Sequence, residues 1–338
     1  MAKVAINGMG RIGRAALKIV LDTPELELSS VNDIADIENI AYLIKYDTVY
    51  GRYAHDVEVD GSNLVIGGKT IPYHSERDPE DLPWEEEAID IVFESTGFFT
   101  KTDGAGKHIK AGAKYVIVSA PTKSDDMPTV VHGVNREDGD VQIISCASCT
   151  TNNVGPVMEI LNRHFGVEKA LMTTIHAYTS TQAIVDGPSP KDFRRGRAGA
   201  ANFVPTSTGA AIAVTKALPE LAGKFDGVAV RGPIPVGSIS DITLLLGKDT
   251  SVDEVNQTMR DEAASDRYDG IFGTTDEPLV SSDIIGLTYA SMADLSMTQV
   301  QGGNLVKVMT WYDNEWSYTS QMIRKAVTLA NESEKITA

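Results

Sequence analysis

The chain of 338 residues contains only two cysteines, Cys146 and Cys149. Two thiols can build neither a disulfide framework nor a four-thiolate zinc site, so the count favours a reducing compartment over a secreted setting. The sequence also lacks any apolar run near the ~20 residues that a membrane helix needs, and its first residues, MAKVAINGMGRIG, do not resemble a signal peptide. We therefore expect a soluble cytoplasmic protein without a metal site.

Basic residues are scarce, with 30 Lys and Arg against 47 Asp and Glu, which gives a net charge of −17. Such a surface repels nucleic acid and anionic membranes, so neither is an expected partner, and an anionic substrate requires a local cationic site. Two interpretations of the acidity stay open. It reflects either adaptation to a salty cytoplasm, where ions screen the charges, or an ordinary solvated surface.

The first 33 residues have the pattern of a nucleotide-binding βαβ unit. An apolar strand over residues 3–7 leads into the turn GMGRIG (residues 8–13), which is followed by a helical pattern and a second strand over residues 26–31. Asp33 follows the second strand. Glycines at this spacing let the backbone approach a pyrophosphate at a helix N-terminus, so the segment predicts dinucleotide binding.

The rest of the chain predicts two domains. HDVEVDGSNLVIGGKTIPY (residues 55–73) has the alternation of short antiparallel strands, and buried strands resume over residues 90–94, 115–119 and 141–145. After residue 148 a helix and long alternating runs indicate an α+β domain with a mainly antiparallel sheet. We predict a Rossmann NAD-binding domain (1–148, with the C-terminal helix 315–338 packing back on it) and a catalytic domain (149–314).

Cys149 is the candidate nucleophile. It lies where a strand gives way to a helix, and a helix N-terminus favours the thiolate. Of the six histidines, His176 is the best partner because it ends the buried strand KALMTTIH just before a polar loop. The other five are expected to be solvated or structural, with His108 on a surface-type helix.

Cys146 precedes the candidate nucleophile in SCASCTTNN, and three interpretations of the pair differ in their chemistry. Cys146 is either a small core residue at a strand end or a partner that forms a reversible disulfide with oxidised Cys149. Metal binding is the weakest alternative, because convergent histidine ligands are not nearby in the sequence.

The motifs ASCTTN, TTIHAYTSTQ, FVPTSTGAA and WYDNEWSY, spread over nearly the whole chain, resemble the phosphorylating glyceraldehyde-3-phosphate dehydrogenase family of bacteria and eukaryotes. The resemblance implies that Cys149 attacks D-glyceraldehyde 3-phosphate to form a thiohemiacetal. It further implies that His176 lowers the thiol pKa and accepts the proton as hydride leaves for the nicotinamide. Inorganic phosphate then releases 1,3-bisphosphoglycerate from the thioester.

The resemblance also implies two phosphate sites. Substrate phosphate matches Thr179, Thr181 and Arg231, and the attacking phosphate matches Ser148, Thr150, Thr208 and Gly209, with Arg195 close to the substrate. For Arg231 the alternative is a surface salt bridge, and for Thr208 and Gly209 it is an ordinary helix cap, which uses the same N–H groups.

The cofactor implied by the resemblance is NAD. Asp33 would bind the adenosine ribose hydroxyls and repel a 2′-phosphate, and DGP at 186–188 is similar to the NAD-specific version of that loop. Asn314 would fix the nicotinamide carboxamide. The matching cofactor positions are Asn7, Gly8, Gly10, Arg11, Ile12, Gly13, Asp33, Arg77, Thr96, Gly97, Ser119 and Asn314.

The resemblance implies a homotetramer with the loop 178–202 at a subunit interface. Two alternative functions remain open. One is erythrose-4-phosphate dehydrogenase, a relative with the same nucleophile that uses phosphate poorly. The other is a regulatory NAD-binding protein that has lost catalysis, although all the expected catalytic groups are present.

Overall fold

The chain divides into two units in a computed structural model, which describes residues 1–137, 139, 141–190 and 192–337. Unit 1 comprises the described residues of Met1–Val130, Arg136–Ala147 and Met322–Ala338, and unit 2 comprises Val131–Asn135 and Ser148–Gln321. The last residue of the predicted C-terminal helix, Ala338, lies outside the described residues. Among those that are described, no helix has both the length and the apolar character that crossing a membrane requires.

Among the described residues before the crossover into unit 2, unit 1 contains ten strands and three α-helices. The strands are β1 (Ala2–Asn7), β2 (Leu26–Asn32), β3 (Tyr46–Asp47), β4 (Gly51–Arg52), β5 (Val57–Asp60), β6 (Asn63–Ile66), β7 (Lys69–His74), β8 (Ile91–Glu94), β9 (Tyr115–Val118) and β10 (Ile143–Ser145). The helices are α1 (Arg11–Leu21), α2 (Ile37–Lys45) and α3 (Thr102–Lys110).

The sheet of unit 1 has eight strands in the order β10-β9-β8-β1-β2-β7-β6-β5. The six strands from β10 to β7 are parallel to their neighbours, while β5, β6 and β7 pair antiparallel, as the alternating segment 55–73 predicted. Strand β1 is central and almost wholly buried, which explains its apolar sequence AKVAIN. Strand order reverses between β1 and β8, and sheets of this kind bind ligands at the carboxyl ends of strands beside such a point.

The described part of unit 2 holds seven strands and the remaining α-helices. The strands are β11 (Val167–Ala177), β12 (Val204–Ser207), β13 (Phe225–Gly232), β14 (Ser238–Leu246), β15 (Phe272–Thr275), β16 (Ser291–Gln301) and β17 (Leu305–Tyr312). The helices are α4 (Cys149–Phe165), α5 (Ala210–Ala217), α6 (Val252–Ala263) and α7 (Trp316–Thr337), of which α7 runs on into unit 1.

The sheet of unit 2 is mainly antiparallel, in the order β12-β13-β11-β14-β17-β16-β15. Only β11 with β13 and β15 with β16 run parallel. One face packs on α4, α5 and α6 around a core that includes Val157, Leu161 and Met259. A parallel-rich Rossmann sheet and a mainly antiparallel α+β sheet are the predicted fold class.

Candidate active site

The backbone turns sharply just before the candidate nucleophile. Ala147 has φ +56°, a left-handed conformation that residues with a side chain seldom adopt, between the end of β10 and the start of α4. Ser148 is the N-cap of α4, and its Oγ accepts the N–H of Thr151 at 3.1 Å. The motif SCASCTTNN therefore folds so that Cys149 is the first residue of the helix.

The structure brings together Cys149 and His176, the predicted nucleophile and its predicted partner. The Cys149 Sγ lies 3.3 Å from Nε2 of His176, which is near the carboxyl end of β11. Parallel pairing of β11 with β13 sets Arg231 directly beside His176. Arg231 Nη1 is 2.6 Å from Nδ1 of His176, so the thiol, the imidazole and the guanidinium form one contiguous group.

Burial shifts the pKa of both members of the cysteine–histidine pair toward their neutral forms. It raises the pKa of the Cys149 thiol, against the opposing effects of the Arg231 charge and the Thr150 backbone N–H. Burial, reinforced by the Arg231 charge, also lowers the pKa of His176 to about 3, although the carbonyl of Ala177 opposes this. The lowering of the thiol pKa by His176 that the family resemblance implies stays a prediction.

Tyr312 lies beneath the pair and was not predicted as a site residue. Its hydroxyl is 2.9 Å from Oγ1 of Thr150 and 2.8 Å from Oγ1 of Thr174, and its ring meets that of His176 edge-on with 5.9 Å between centroids. The tyrosine is almost fully buried. The alternating pattern of β17, VKVMTWY, was the available signal, because it places Tyr312 on the buried face of the strand.

The predicted phosphate ligands fall into small groups in unit 2. Thr179 and Thr181, in the segment after β11, have hydroxyl oxygens 2.9 Å apart. Arg195 donates from Nε to Thr206 Oγ1 at 3.0 Å, and Thr206 in turn donates to Asp192 at 2.8 Å. This partnership of Arg195 with Thr206 was not foreseen.

Thr208 and Gly209 precede α5, whose N-cap is Gly209. The Thr208 Oγ1 accepts the N–H of Ala210 at 3.2 Å. The Thr208 side chain thus binds the first N–H of the helix, and glycine at the N-cap adds no side chain that would cover the other N–H groups of the first turn. Capping and anion binding are compatible at this position.

The glycine turn of unit 1 is closely packed at two positions and open at a third. A Cβ on Gly8, which has φ +96°, would lie 2.7 Å from the backbone nitrogen of Thr96, and one on Gly13 would lie 1.9 Å from the carbonyl oxygen of Gly8. At Gly10, the N-cap of α1, no described heavy atom would lie within 4 Å of a Cβ. Asp33 Oδ2 accepts the N–H of Met9 at 2.6 Å, which ties the acidic residue to the turn.

Asn7 is buried beneath the turn instead of facing it. Its amide donates to Glu94 at 2.6 Å and accepts from Asn32 at 2.7 Å. The carboxylate of Glu94 also accepts from the backbone N–H of Thr96 at 2.8 Å and from its hydroxyl. Glu94 is therefore a residue of the nucleotide-binding end that the sequence did not reveal, and it holds two predicted cofactor residues.

His108 corrects a prediction, because it is completely buried and not on a surface. Its Nδ1 accepts from the indole N–H of Trp84 at 2.9 Å, which leaves Nε2 to donate to Glu94 at 3.0 Å.

The other predicted cofactor residues are placed as follows. Arg11 pairs with Asp47 at 2.5 Å, Ile12 lies in the first turn of α1, and Ser119 follows β9. Arg77 is exposed after β7, and Gly97 has φ +74° beyond β8. In unit 2, Asn314 is buried, and its Oδ1 accepts from Gly237 N–H and from Ser238 Oγ, each at 3.1 Å.

The residues of the turn fit a dinucleotide. The open space at Gly10, at the N-terminus of α1, is the space a pyrophosphate requires, and the close packing at Gly8 and Gly13 keeps that turn tight. Asp33 retains acceptor capacity for ribose hydroxyls, since each carboxylate oxygen takes more than one hydrogen bond.

Cys146 is buried, and burial raises the pKa of its thiol to about 12 despite the Lys325 charge. A protonated, buried thiol agrees with the interpretation of Cys146 as a core residue. The disulfide stays a hypothesis. Within the part of the chain that the structure describes, no group of three or more His, Cys, Asp or Glu could hold a metal ion.

A nucleotide-binding sheet with its glycine turn, together with a second unit that carries a cysteine–histidine pair, defines a dinucleotide-dependent dehydrogenase. Comparisons with known proteins narrow the class. Residues 2–102 match the family model of the NAD binding domain of glyceraldehyde 3-phosphate dehydrogenase, and residues 148–314 match that of its C-terminal domain.

Curated relatives agree over almost the whole chain. Glyceraldehyde-3-phosphate dehydrogenase of Clostridium pasteurianum is 48% identical over 330 residues, covering 96% of this chain and 97% of the relative. Glyceraldehyde-3-phosphate dehydrogenase 1 of Bacillus subtilis (strain 168) is 47% identical over 333 residues, covering 98% of both chains. The glyceraldehyde-3-phosphate dehydrogenase of Geobacillus stearothermophilus has the same identity and coverage.

The chain belongs to the glyceraldehyde-3-phosphate dehydrogenase family and is an NAD-dependent oxidoreductase. This confirms the family resemblance, the fold class and NAD as the cofactor. The alternatives of an erythrose-4-phosphate dehydrogenase and of a non-catalytic NAD-binding protein are not favoured.

Proposed function

We propose that the chain catalyses the reversible, NAD-dependent oxidative phosphorylation of D-glyceraldehyde 3-phosphate to 1,3-bisphosphoglycerate, as in glycolysis and gluconeogenesis. The observation that carries the proposal is the 3.3 Å contact between Cys149 Sγ and His176 Nε2 in a member of this family. The named activity of the relatives supports the same substrate.

Each residue of the pair has a defined task. Attack on the aldehyde carbon requires the thiol proton to leave, and His176 accepts it at Nε2, which lies 3.3 Å from the sulphur. Cys149 thereby forms a covalent thiohemiacetal, whose oxidation gives a thioester. NAD, when bound, supplies the hydride acceptor for that oxidation.

Two anion sites are part of the proposal. Arg231 lies near the end of β13, and the segment after the neighbouring strand β11 carries Thr179 and Thr181. A cation and two hydroxyls are therefore available to hold the substrate phosphate. Ser148, Thr150, Thr208 and Gly209 belong to the N-terminal ends of α4 and α5, where the helix dipole favours the attacking phosphate. Arg195 adds positive charge.

NAD would be held by Gly8, Gly10, Gly13 and Asp33 of the turn, with Glu94 supporting Asn7 and Thr96 from below. Asn314 would orient the nicotinamide carboxamide with its amide plane fixed by Gly237 and Ser238. The remaining proposed cofactor residues are Arg11, Ile12, Arg77, Gly97 and Ser119. We keep the domain bounds 1–148 and 149–314 as proposals too.

The decisive experiment follows NADH absorbance with purified protein, NAD and D-glyceraldehyde 3-phosphate, with and without inorganic phosphate. We expect sustained turnover only with phosphate. A single burst equal to the Cys149 content in both cases would mean that phosphate does not attack the thioester, and Thr150 and Thr208 would lose their assignment. Turnover of erythrose 4-phosphate in preference to the triose would overturn the proposed substrate.

A homotetramer is the proposed assembly, supported by two exposed apolar regions of unit 2. Leu171 and Val228 are 68% and 52% exposed on the face of the sheet opposite the helices. Ile184 and Phe193, in the loop 178–202, are 88% and 87% exposed. Exposed apolar side chains of this kind are typical of surfaces that subunit contacts cover. Sedimentation as a monomer or a dimer would contradict this assembly.

The cytoplasm is the proposed location, because a nucleophilic thiol that must be free in each cycle is preserved in a reducing compartment. The net charge of −17 supports, as a separate hypothesis, a requirement for salt. Measuring activity and the thermal midpoint from low to high KCl tests it, and equal values at both ends would remove the idea.

A further inference from the structure

The carboxylate of Glu94 is fully buried at the carboxyl end of β8, and both of its oxygens accept hydrogen bonds. Oε1 accepts from the backbone N–H of Thr96 at 2.8 Å and also from its hydroxyl. Oε2 accepts from Nδ2 of Asn7 at 2.6 Å and lies 3.0 Å from Nε2 of His108. Those two nitrogens are 3.3 Å apart because both approach the same oxygen.

Trp84 determines which nitrogen of His108 carries the proton. An indole N–H only donates hydrogen bonds, and it lies 2.9 Å from Nδ1 of His108, so Nδ1 must offer a lone pair. The proton of the imidazole is then on Nε2, which faces Glu94. Because Trp84 and His108 are both fully buried, water does not compete for either contact.

The same hydrogen bonds continue to a third segment of unit 1. Asn7 accepts at Oδ1 from Asn32 at 2.7 Å. Asn32 in turn exchanges two hydrogen bonds with the backbone of Glu76, one of 2.9 Å to its carbonyl and one of 2.8 Å from its N–H. Buried polar side chains therefore connect the ends of β1, β2 and β8 with the segment after β7, and these are the segments that we propose to contact NAD.

We propose that His108 is a positioning residue for NAD binding, which acts by donating from Nε2 to Glu94 and so fixes the carboxylate that holds Thr96 and Asn7. The inference rests on the proposed placement of NAD, because Thr96 and Asn7 are cofactor residues only in that placement. Without this donor, a buried charged oxygen keeps fewer hydrogen bonds and the carboxylate is free to turn. Thr96 and Asn7 then lose their fixed positions before the cofactor arrives.

Two amide variants separate the two contacts of His108. Glutamine brings its amide nitrogen close to the position of Nε2, so His108→Gln keeps a donor for Glu94. Asparagine brings its amide oxygen close to the position of Nδ1, so His108→Asn keeps an acceptor for Trp84 and loses the donor to Glu94. Both variants lose the ring and should lower the thermal midpoint.

The Kd for NAD, measured by calorimetric titration, distinguishes positioning from packing. We expect His108→Asn to raise it about tenfold, as the loss of one hydrogen bond to a charged group implies, and His108→Gln to keep it within about threefold. The kcat at saturating NAD should stay within about threefold of the parent in both variants, because His108 does not touch the reacting atoms. Equal Kd values in the two variants would overturn the inference.

His74→Gln is the matched control. His74 also has a ring contact with Trp84, edge-on with 6.0 Å between centroids, but its carboxylate partner is Glu87, at 2.8 Å. It should leave the Kd for NAD unchanged. An increase equal to that of His108→Asn would show that any change beside Trp84 weakens NAD binding, and the assignment to Glu94 would fall.

Nitrogen NMR of the parent labelled with 15N-histidine decides the matter even if the variants do not fold. Comparison with any folded His108 variant, or the contact with the indole N–H of Trp84, identifies the His108 signals among the six histidines. We expect a protonated Nε2 and an unprotonated Nδ1. A proton on Nδ1 would remove the donor to Glu94 and overturn the inference.

The two proposals fail separately, because the Kd for NAD is measured without turnover. A raised Kd in His108→Asn alone, in a protein that does not oxidise D-glyceraldehyde 3-phosphate, would remove the proposed function and leave the role of His108 standing. Phosphate-dependent turnover with equal Kd values in the two amide variants would do the reverse.

Discussion

The sulphur of Cys149 lies 3.3 Å from Nε2 of His176, across the junction between the N-terminus of α4 and the carboxyl end of β11. Cys149 lies there because it directly follows Ser148, the N-cap of α4. His176 lies there because β11 runs in the centre of the unit 2 sheet. A nucleophile and its base are thus both anchored on regular elements, which keeps their separation fixed.

Replacing the base should slow chemistry without preventing cofactor binding. In His176→Asn the Cys149 thiol, whose pKa is raised by burial, loses its proton acceptor. We expect kcat to fall by about 10² to 10⁴, with an unchanged Kd for NAD. Stopped-flow NADH absorbance and calorimetric titration measure the two quantities, and a kcat within threefold of the parent would show that another group removes the proton.

The same histidine should give the fold a defined pH dependence. Burial, followed by the Arg231 charge, lowers the pKa of His176 to about 3, whereas an unfolded imidazole titrates near ~6.5. Between these values the unfolded chain binds the additional proton. The contribution of His176 to the free energy of unfolding is therefore complete above about pH 6.5, and it is lost as the pH falls toward the pKa of His176 in the folded protein. Between pH 7 and pH 5 the loss is about 2 kcal/mol.

Urea unfolding of the parent and His176→Asn at pH 7 and pH 5 checks this value. We expect the parent to lose about 2 kcal/mol more than the variant over that interval. Equal losses would show that His176 is already charged in the folded protein at pH 5.

Local sequence patterns were enough to predict much of the fold. The strand β1, the glycine turn, α1 and β2 follow each other directly in the sequence, so period and turn residues were enough to predict them. The contact of Arg231 with His176 could not be predicted in this way. It joins residues 55 positions apart through the pairing of β11 with β13, and no local pattern specifies which strands become neighbours.

His108 shows why burial of polar residues is hard to predict. Its helix, TDGAGKHIK, has a polar sequence, and a histidine in it looks solvated. In the structure Trp84 and Glu94 supply its partners from other elements, so the ring is satisfied and fully buried. Glu94 was missed for the same reason, since its partners come from β1, α3 and the segment after β8.

Two glycines of the turn, Gly13 and Gly10, should respond differently to replacement by alanine. A methyl at Gly13 would meet the Gly8 oxygen at 1.9 Å, so Gly13→Ala should lower the thermal midpoint, at a cost of about 1–3 kcal/mol or more. At Gly10 there is room for the methyl, so Gly10→Ala should leave the thermal midpoint unchanged. The same methyl would fill the proposed pyrophosphate space, so we expect the Kd for NAD to rise at least about tenfold. Unimpaired NAD binding by Gly10→Ala would rule out that placement.

Asp33 should determine the choice between NAD and NADP. Asp33→Asn keeps an oxygen for the N–H of Met9 but removes the charge that would repel a 2′-phosphate. We expect the ratio of kcat/KM for NAD to that for NADP to fall about tenfold, or ~1.4 kcal/mol. Asp36→Asn removes an exposed carboxylate that caps α2 and should leave the ratio unchanged. An unchanged ratio in Asp33→Asn as well would mean that another residue excludes NADP.

Tyr312→Phe should separate phosphate use from acylation. The tyrosine hydroxyl lies between Oγ1 of Thr150 and Oγ1 of Thr174, so its loss frees the Thr150 hydroxyl that we assign to the attacking phosphate. One lost hydrogen bond of ~1 kcal/mol corresponds to about a fivefold higher KM for inorganic phosphate. The Cys149 thiol is untouched, so the burst of NADH that marks acylation should keep its amplitude.

Tyr268→Phe is the control for that experiment, because it also removes a buried hydroxyl, one that donates to Glu159 at 2.5 Å among α4 and α6. It should lower stability and leave the KM for phosphate unchanged. If both variants raised this KM equally, the effect would come from a loosened unit 2. If neither did, Thr150 would bind phosphate without help from Tyr312, and the tyrosine would serve only to pack against the ring of His176.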